Sequence, residues 1–280
     1  MTYQKEIKNH FANIRKELFG EIEYGKWRNS QKVYKHILPE NKKSLNLLPS
    51  YRDKLEKYLE VNSREIKQHI YFHHLNSSQA MCLNFFFPLI EEKELDVILK
   101  LIGFDDEEIN YNATCFEKES IIEKSKKSYR STNFDFFIET VSGKKIFFEI
   151  KYTEQEFGKA KLDALHENKF KEVYKENLKS IKKEYHSSSV FFKNYQILSN
   201  LICISENSFV VFLYPNGNKR IKTQAETAKL KFITNEFSTN LINLTWEKLL
   251  DYTEKNVNTQ SLKIQFNDFR KKYKILSNHQ

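Results

Sequence analysis

The stretch Asn133–Glu154, NFDFFIETVSGKKIFFEIKYTE, decides the fold. Two runs of Phe and Ile flank a short polar break, which is the pattern of a β-hairpin. Yet Asp135, Glu149 and Lys151 are set among those apolar residues, where a merely buried strand would carry no charge. Side chains alternate faces along a strand, so Phe147, Glu149 and Lys151 share one side, and Ile146, Phe148, Ile150 and Tyr152 the other. Glu149 and Lys151 then lie about 7 Å apart along the strand.

The place of Asp135 depends on the turn. A three-residue loop of Val141, Ser142 and Gly143, with glycine in the left-handed position, makes Thr140 face Lys144 and Phe137 face Phe147, and sets Asp135 opposite Glu149. A two-residue loop would put Asp135 opposite Ile150, on the wrong face. The position of Gly143 favours the first register and a convergent trio. Two close carboxylates repel when both are ionised. A divalent cation with oxygen ligands removes that repulsion, and a bound Mg²⁺ polarises a phosphoryl oxygen and acidifies a water. Lys151 beside it orients that water or offsets charge on phosphorus.

Outward from the hairpin, the composition fits a folded chain. Of the 280 residues, 23 are Phe and 15 Tyr, so disorder is not expected. Six Gly and four Pro argue against a loop-rich sandwich and for helices around a compact sheet. The net charge of +9 is compatible with a polyanionic partner, although a lysine-rich composition alone gives the same balance. Cys82, Cys115 and Cys203 are scattered without zinc spacing and read as core residues of a reducing compartment. The N-terminal MTYQKEIKNHF has no apolar signal core, and the longest apolar runs are too short to span a bilayer. A soluble, cytoplasmic protein is expected.

Residues 1–66 read as a polar helical region, with Phe11, Ile14, Leu18 and Phe19 and then Tyr51, Leu55, Tyr58 and Leu59 at helical spacing. Residues 67–280 read as one catalytic domain. Ser77 is the expected N-cap of a helix that ends near Pro88, and a second helix closes on Gly103. NYNATCFEKE and the hairpin read as strands. The charged tract 157–185 reads as a long solvated helix with i,i+4 pairs in preference to a DNA-facing patch. NYQILSNLICI reads as a buried helix, and NSFVVFLYP as the clearest buried strand. From about Thr223 the chain mixes amphipathic helix with polar connections. The expected class is α/β, a mixed β-sheet core flanked by helices with an N-terminal helical extension. Adjacent His73 and His74 point apart on any regular element and read as surface histidines, not metal ligands.

Asp135, a thirteen-residue spacer, and then Glu149-Ile150-Lys151 resemble the D…(D/E)xK signature of the PD-(D/E)XK, or restriction-endonuclease-like, nuclease superfamily. The likeness spans about His73 to Pro215 and departs at Phe134, where the signature has proline. It implies a helix before a three-stranded meander, then a helix and a further strand. It implies Mg²⁺, with Mn²⁺ as a substitute, held by Asp135, Glu149 and the Ile150 carbonyl, and Lys151 as a catalytic residue. Tyr195 and Gln196 resemble a glutamine-bearing fourth motif of several branches, although Gln196 serves equally well in a buried hydrogen bond. An upstream acid often completes such sites, and Glu117 is the candidate, ahead of Gln79. Glu154 reads as a helix N-terminal charge before a third acid. Arg130 is the candidate phosphate contact. The activity implied is a DNA endonuclease of restriction or phage-defence type, acting as a homodimer. The competing readings are an RNA-cleaving nuclease and a non-catalytic nucleic-acid-binding or partner-docking protein that retains the fold.

Overall fold

In the computed structural model, which describes residues 1–28, 30–124, 129 and 131–277, contacts divide the chain into two units. The first comprises Met1–Asp106, Pro215–Asn218 and Thr245–Gln280, and the second Glu107–Tyr214 and Lys219–Leu244. The division therefore falls elsewhere than at residue 66. The helices Ser78–Glu91 and Asp96–Leu101 pack against Gln260–Tyr273 and Trp246–Asn256, which return late in the chain. Those apolar faces need each other, and this keeps residues 67–106 with the N-terminal helices.

The first unit is mostly helical. Helices Tyr3–Phe19 and Arg52–Val61 follow the expected spacing. Ser77 accepts from the Ala80 N–H as N-cap, and Gly103 lies at φ 87° past the second helix. Between the first helices the chain forms a ribbon missed by helical spacing, β1 (Gly25–Lys26) against antiparallel β2 (Val33–Tyr34). His73 and His74 are buried, contrary to the surface reading. His74 lies against Trp27 and Tyr71, and burial, with His73 and His36 nearby, pulls its pKa down to about 3. A neutral imidazole packs like any other aromatic ring, so adjacency did not force either histidine into water.

The second unit is built on one sheet in the order β3 (Cys115–Glu119), β4 (Asn133–Glu139), β5 (Lys145–Ile150), β6 (Ser208–Tyr214), β7 (Leu241–Thr245). Strands β3, β4 and β5 are antiparallel neighbours, and β6 runs parallel to β5. The parallel step requires a crossover, which the helical residues between Ala164 and Leu201 supply. This is the expected α/β class, a mixed sheet flanked by helices. The edge strand β7 was hidden in a segment read as helix and connections. Of NYNATCFEKE only Cys115–Glu119 is strand, the residues before it forming turns.

The charged tract 157–185 is not one solvated helix. It breaks into α-helical Ala164–Lys169, a π-turn at Phe170–Tyr174, and 3₁₀ turns at Lys175–Asn177 and Lys183–Tyr185. Phe170, Val173 and Tyr174 enter a core with Phe137, Phe147, Phe191 and Leu198. Apolar contacts on one side override the i,i+4 charge pattern on the other.

Candidate active site

The hairpin adopts the three-residue loop. Gly143 lies at φ 89°, its N–H donates to the Thr140 carbonyl at 3.0 Å, and Thr140 N–H reaches the Lys144 carbonyl at 2.9 Å. Phe137 pairs with Phe147, and the same register sets Asp135 opposite Glu149. The paired ladder stops one position earlier, at Phe136 and Phe148. The next N–H of β5, that of Ile150, donates to Asp135 Oδ2 at 2.6 Å. A side chain thus takes a donor that continued pairing would have given to the Phe134 carbonyl. N–H and C=O of one strand residue face the same edge, so the Ile150 carbonyl is directed toward the Asp135 side.

Glu149 and Lys151 are both buried, and the Lys151 ammonium lies 2.7 Å from Glu149 Oε1. Gln196 donates to the same oxygen at 2.7 Å and Asn200 to Oε2 at 3.1 Å. Both amides come from the buried helix Tyr195–Leu201, one turn apart on one face. Gln196 was foreseen; Asn200 was not, although its i+4 spacing from Gln196 on an apolar helix is a signal the sequence carries. Gln196 Oε1 also accepts from the Gly158 N–H at 2.9 Å, so its amide is oriented at both ends.

Charges around the trio are unbalanced. Burial first, then the Glu149 carboxylate, push the Asp135 carboxyl well above the usual carboxylate range, against Lys151 and the Ile150 N–H; Glu117 pushes the same way. The β3–β4 register sets Glu117 opposite Asp135, and Glu117 has a left-handed backbone, φ 52°, where the ladder skips a pair. A non-glycine residue in that region costs about 1–3 kcal/mol, and such strain gathers at functional sites. Burial would lower the Lys151 pKa, but Glu149, Glu154 and Asp135 overrule it, and the ammonium is held above its ordinary value. Glu154 caps no helix. Residues 151–163 are irregular, and its Oε2 accepts from the Tyr152 N–H at 2.6 Å. The sharp turn after β5 bends it back toward Lys151. Gln79 lies in the first unit, bound to the backbone of His69 and Lys67. Arg130 lies outside the described residues.

Among the described residues no group of three or more His, Cys, Asp or Glu side chains is gathered to hold a metal alone. The donor set is instead two carboxylates and a backbone carbonyl. That set suits Mg²⁺, which binds one or two carboxylates and keeps several waters. Burial and the neighbouring Glu149 carboxylate hold the Asp135 carboxyl above its usual range, and a cation between the two carboxylates would relieve both effects. Just beyond β5, Gln155 and Glu156 line an open cleft of about 420 Å³ with Lys219, Arg220, Thr223 and Gln224.

A helix-flanked mixed sheet with an Asp on one strand and Glu-x-Lys at the end of the next defines a restriction-endonuclease-like fold. The family model described as Restriction Endonuclease associating with ARP matches residues 8–274, and the chain belongs to that family. No curated protein and no solved structure matches it. Among the described residues no helix is long and apolar enough to cross a membrane.

Proposed function

We propose that the protein is a Mg²⁺-dependent DNA endonuclease of restriction or phage-defence type, with Mn²⁺ able to replace Mg²⁺. The observation that carries this reading is the convergence of Asp135, Glu149 and Lys151 at the end of the β4–β5 pairing. The restriction-endonuclease family supports DNA as substrate. A cation held by Asp135, Glu149 and the Ile150 carbonyl would polarise the scissile phosphate and lower the pKa of a water.

The chain's own groups do the rest. The Lys151 ammonium keeps its proton and offsets charge that builds on the phosphate oxygens. Gln196 and Asn200 fix the Glu149 carboxylate so that it does not reorient during the reaction. Asp135 must lose its proton to act as a ligand, so cation binding competes with that proton and should weaken as pH falls. Lys219 and Arg220 supply cations for the DNA backbone at the cleft. Cutting both strands of a duplex calls for two such centres, hence a homodimer.

The test is digestion of a mapped duplex with Mg²⁺ or EDTA, beside single-stranded DNA and RNA. The Lys151→Ala variant should lose cleavage and keep binding. Undiminished cutting by that variant rejects the site, and RNA-only cutting rejects the substrate.

A further inference from the structure

Residues 24–36 of the first unit read YGKWRNSQKVYKH, with three Tyr or Trp, four Lys or Arg and no acid. The segment's start is fixed by the backbone. Gly25 N–H donates to the Ile37 carbonyl at 2.8 Å, and a Cβ at Gly25 would come within 2.0 Å of the Leu38 oxygen, so only glycine lets β1 lie there. After β1 the chain turns back, the Ser30 N–H reaching the Trp27 carbonyl at 2.9 Å, with Arg28 at φ 47°. This presents Trp27 and Arg28 together.

The indole of Trp27 packs 4.9 Å from the Tyr71 ring and 4.8 Å from His74, centroid to centroid. The Arg28 guanidinium lies 5.1 Å over Tyr71, and Lys8 lies 5.9 Å over Trp27. Packing a two-residue ribbon would explain the stack. It does not explain why Trp27 keeps 39% and Tyr24 45% of their surface in water, in a chain that buries Trp246 completely. Nor does it explain the cations: Lys26, Arg28, Lys32 and Lys35 are all exposed.

Exposed rings stacked beside cations match one chemistry, unpaired bases on a phosphate backbone. Bases in a duplex are stacked on one another and offer no faces, and an apolar protein partner would leave four cations without counter-charge. We infer that this face of the first unit binds single-stranded DNA, with a base stacked on Trp27 and phosphates on Lys26 and Arg28. The inference rests on the proposed DNA substrate and adds that part of it is unpaired.

Trp27 is also the reporter. A base stacked on it quenches its fluorescence, while Trp246, enclosed by Phe85 and Phe269, does not respond. Full-length protein without divalent cation is titrated with an oligothymidylate, the matched duplex and an oligouridylate. The single DNA strand should quench at the lowest concentration, with a strong salt dependence. Trp27→Phe should lose the quench yet hold a labelled strand in an anisotropy assay. Trp27→Ala should bind about tenfold more weakly, and Arg28→Ala, an exposed change that keeps the fold if Trp27→Ala does not, should weaken binding and flatten the salt slope. No quench, tighter binding of the duplex or the RNA, or Arg28→Ala binding like the parent overturns the inference. Cleavage without quench removes this inference alone; quench without cleavage removes the nuclease reading alone.

Discussion

Two buried glutamate–lysine pairs in the second unit have the same contact and opposite electrostatics. Glu123–Lys169 and Glu149–Lys151 both close at 2.7 Å, with all four side chains less than a tenth exposed. Around Glu123 every further partner among the described residues is a donor: the Thr132 N–H and hydroxyl, the Tyr174 hydroxyl and, at 3.4 Å, that of Tyr195. Burial would push the Glu123 carboxyl up, but Lys169, Thr132 and Tyr174 overrule it and it titrates below its ordinary value. Around Glu149 the neighbours include Asp135, with Glu117 opposite it on the far strand, and Asp135 is driven up. A buried ion pair alone is thus no mark of function. Two carboxylates held side by side in a buried site, one with its pKa driven up by the other, are the stronger pointer.

That contrast can be broken in four ways. The largest effect falls on the balanced pair: Lys169→Ala leaves Glu123 buried and uncompensated, at a cost of about 3–5 kcal/mol. Urea unfolding should show it, and Mg²⁺ should not restore the loss. In the Glu149–Lys151 pair, Glu149→Gln should lower the cleavage rate at saturating Mg²⁺ by ~10²–10³-fold; a rate near that of the parent would make the two pairs equivalent. Asn200→Ala, which frees one carboxylate oxygen of Glu149, should weaken metal binding by about 10–100-fold in calorimetry.

The smallest effect is a gain. A carboxyl whose folded pKa is raised favours the folded state at low pH, and that advantage is lost as pH climbs from the ordinary aspartate range through the raised value. In EDTA at neutral pH, Asp135→Asn should therefore stabilise the protein and raise its Tm. The gain should shrink in acid and, if the parent alone binds Mg²⁺ as proposed, disappear when Mg²⁺ is added. Calorimetry across pH checks it, and a loss of stability at neutral pH would show that Asp135 is no source of strain.

The two pairs were not equally legible. Glu149 lies on β5 and Lys151 directly follows its last residue, so a period of two still places them on one face, and Gly143 fixed the partner strand's register. Glu123 and Lys169 belong to separate elements, and Lys169 sits in a run of charges that resembles a solvated helix. Nothing local distinguishes it from Lys171 or Lys175, which are exposed. Asn200 was within reach, since i+4 spacing from Gln196 is local, but only the packing of its helix shows that both amides meet Glu149. Glu117 was named for its charge and strand; its left-handed backbone is a result of folding.

By itself the sequence determined what local geometry determines: the hairpin, its register, the buried strand β6 and the face shared by the acidic and basic residues. Those follow from side-chain period and turn stereochemistry, which act within a few residues. Tertiary structure alone decided which helices join which unit, that β7 completes the sheet, that the histidines enter a core, and which buried charge is balanced. Each depends on burial and on partners brought from distant parts of the chain, and neither is written in any short window of residues.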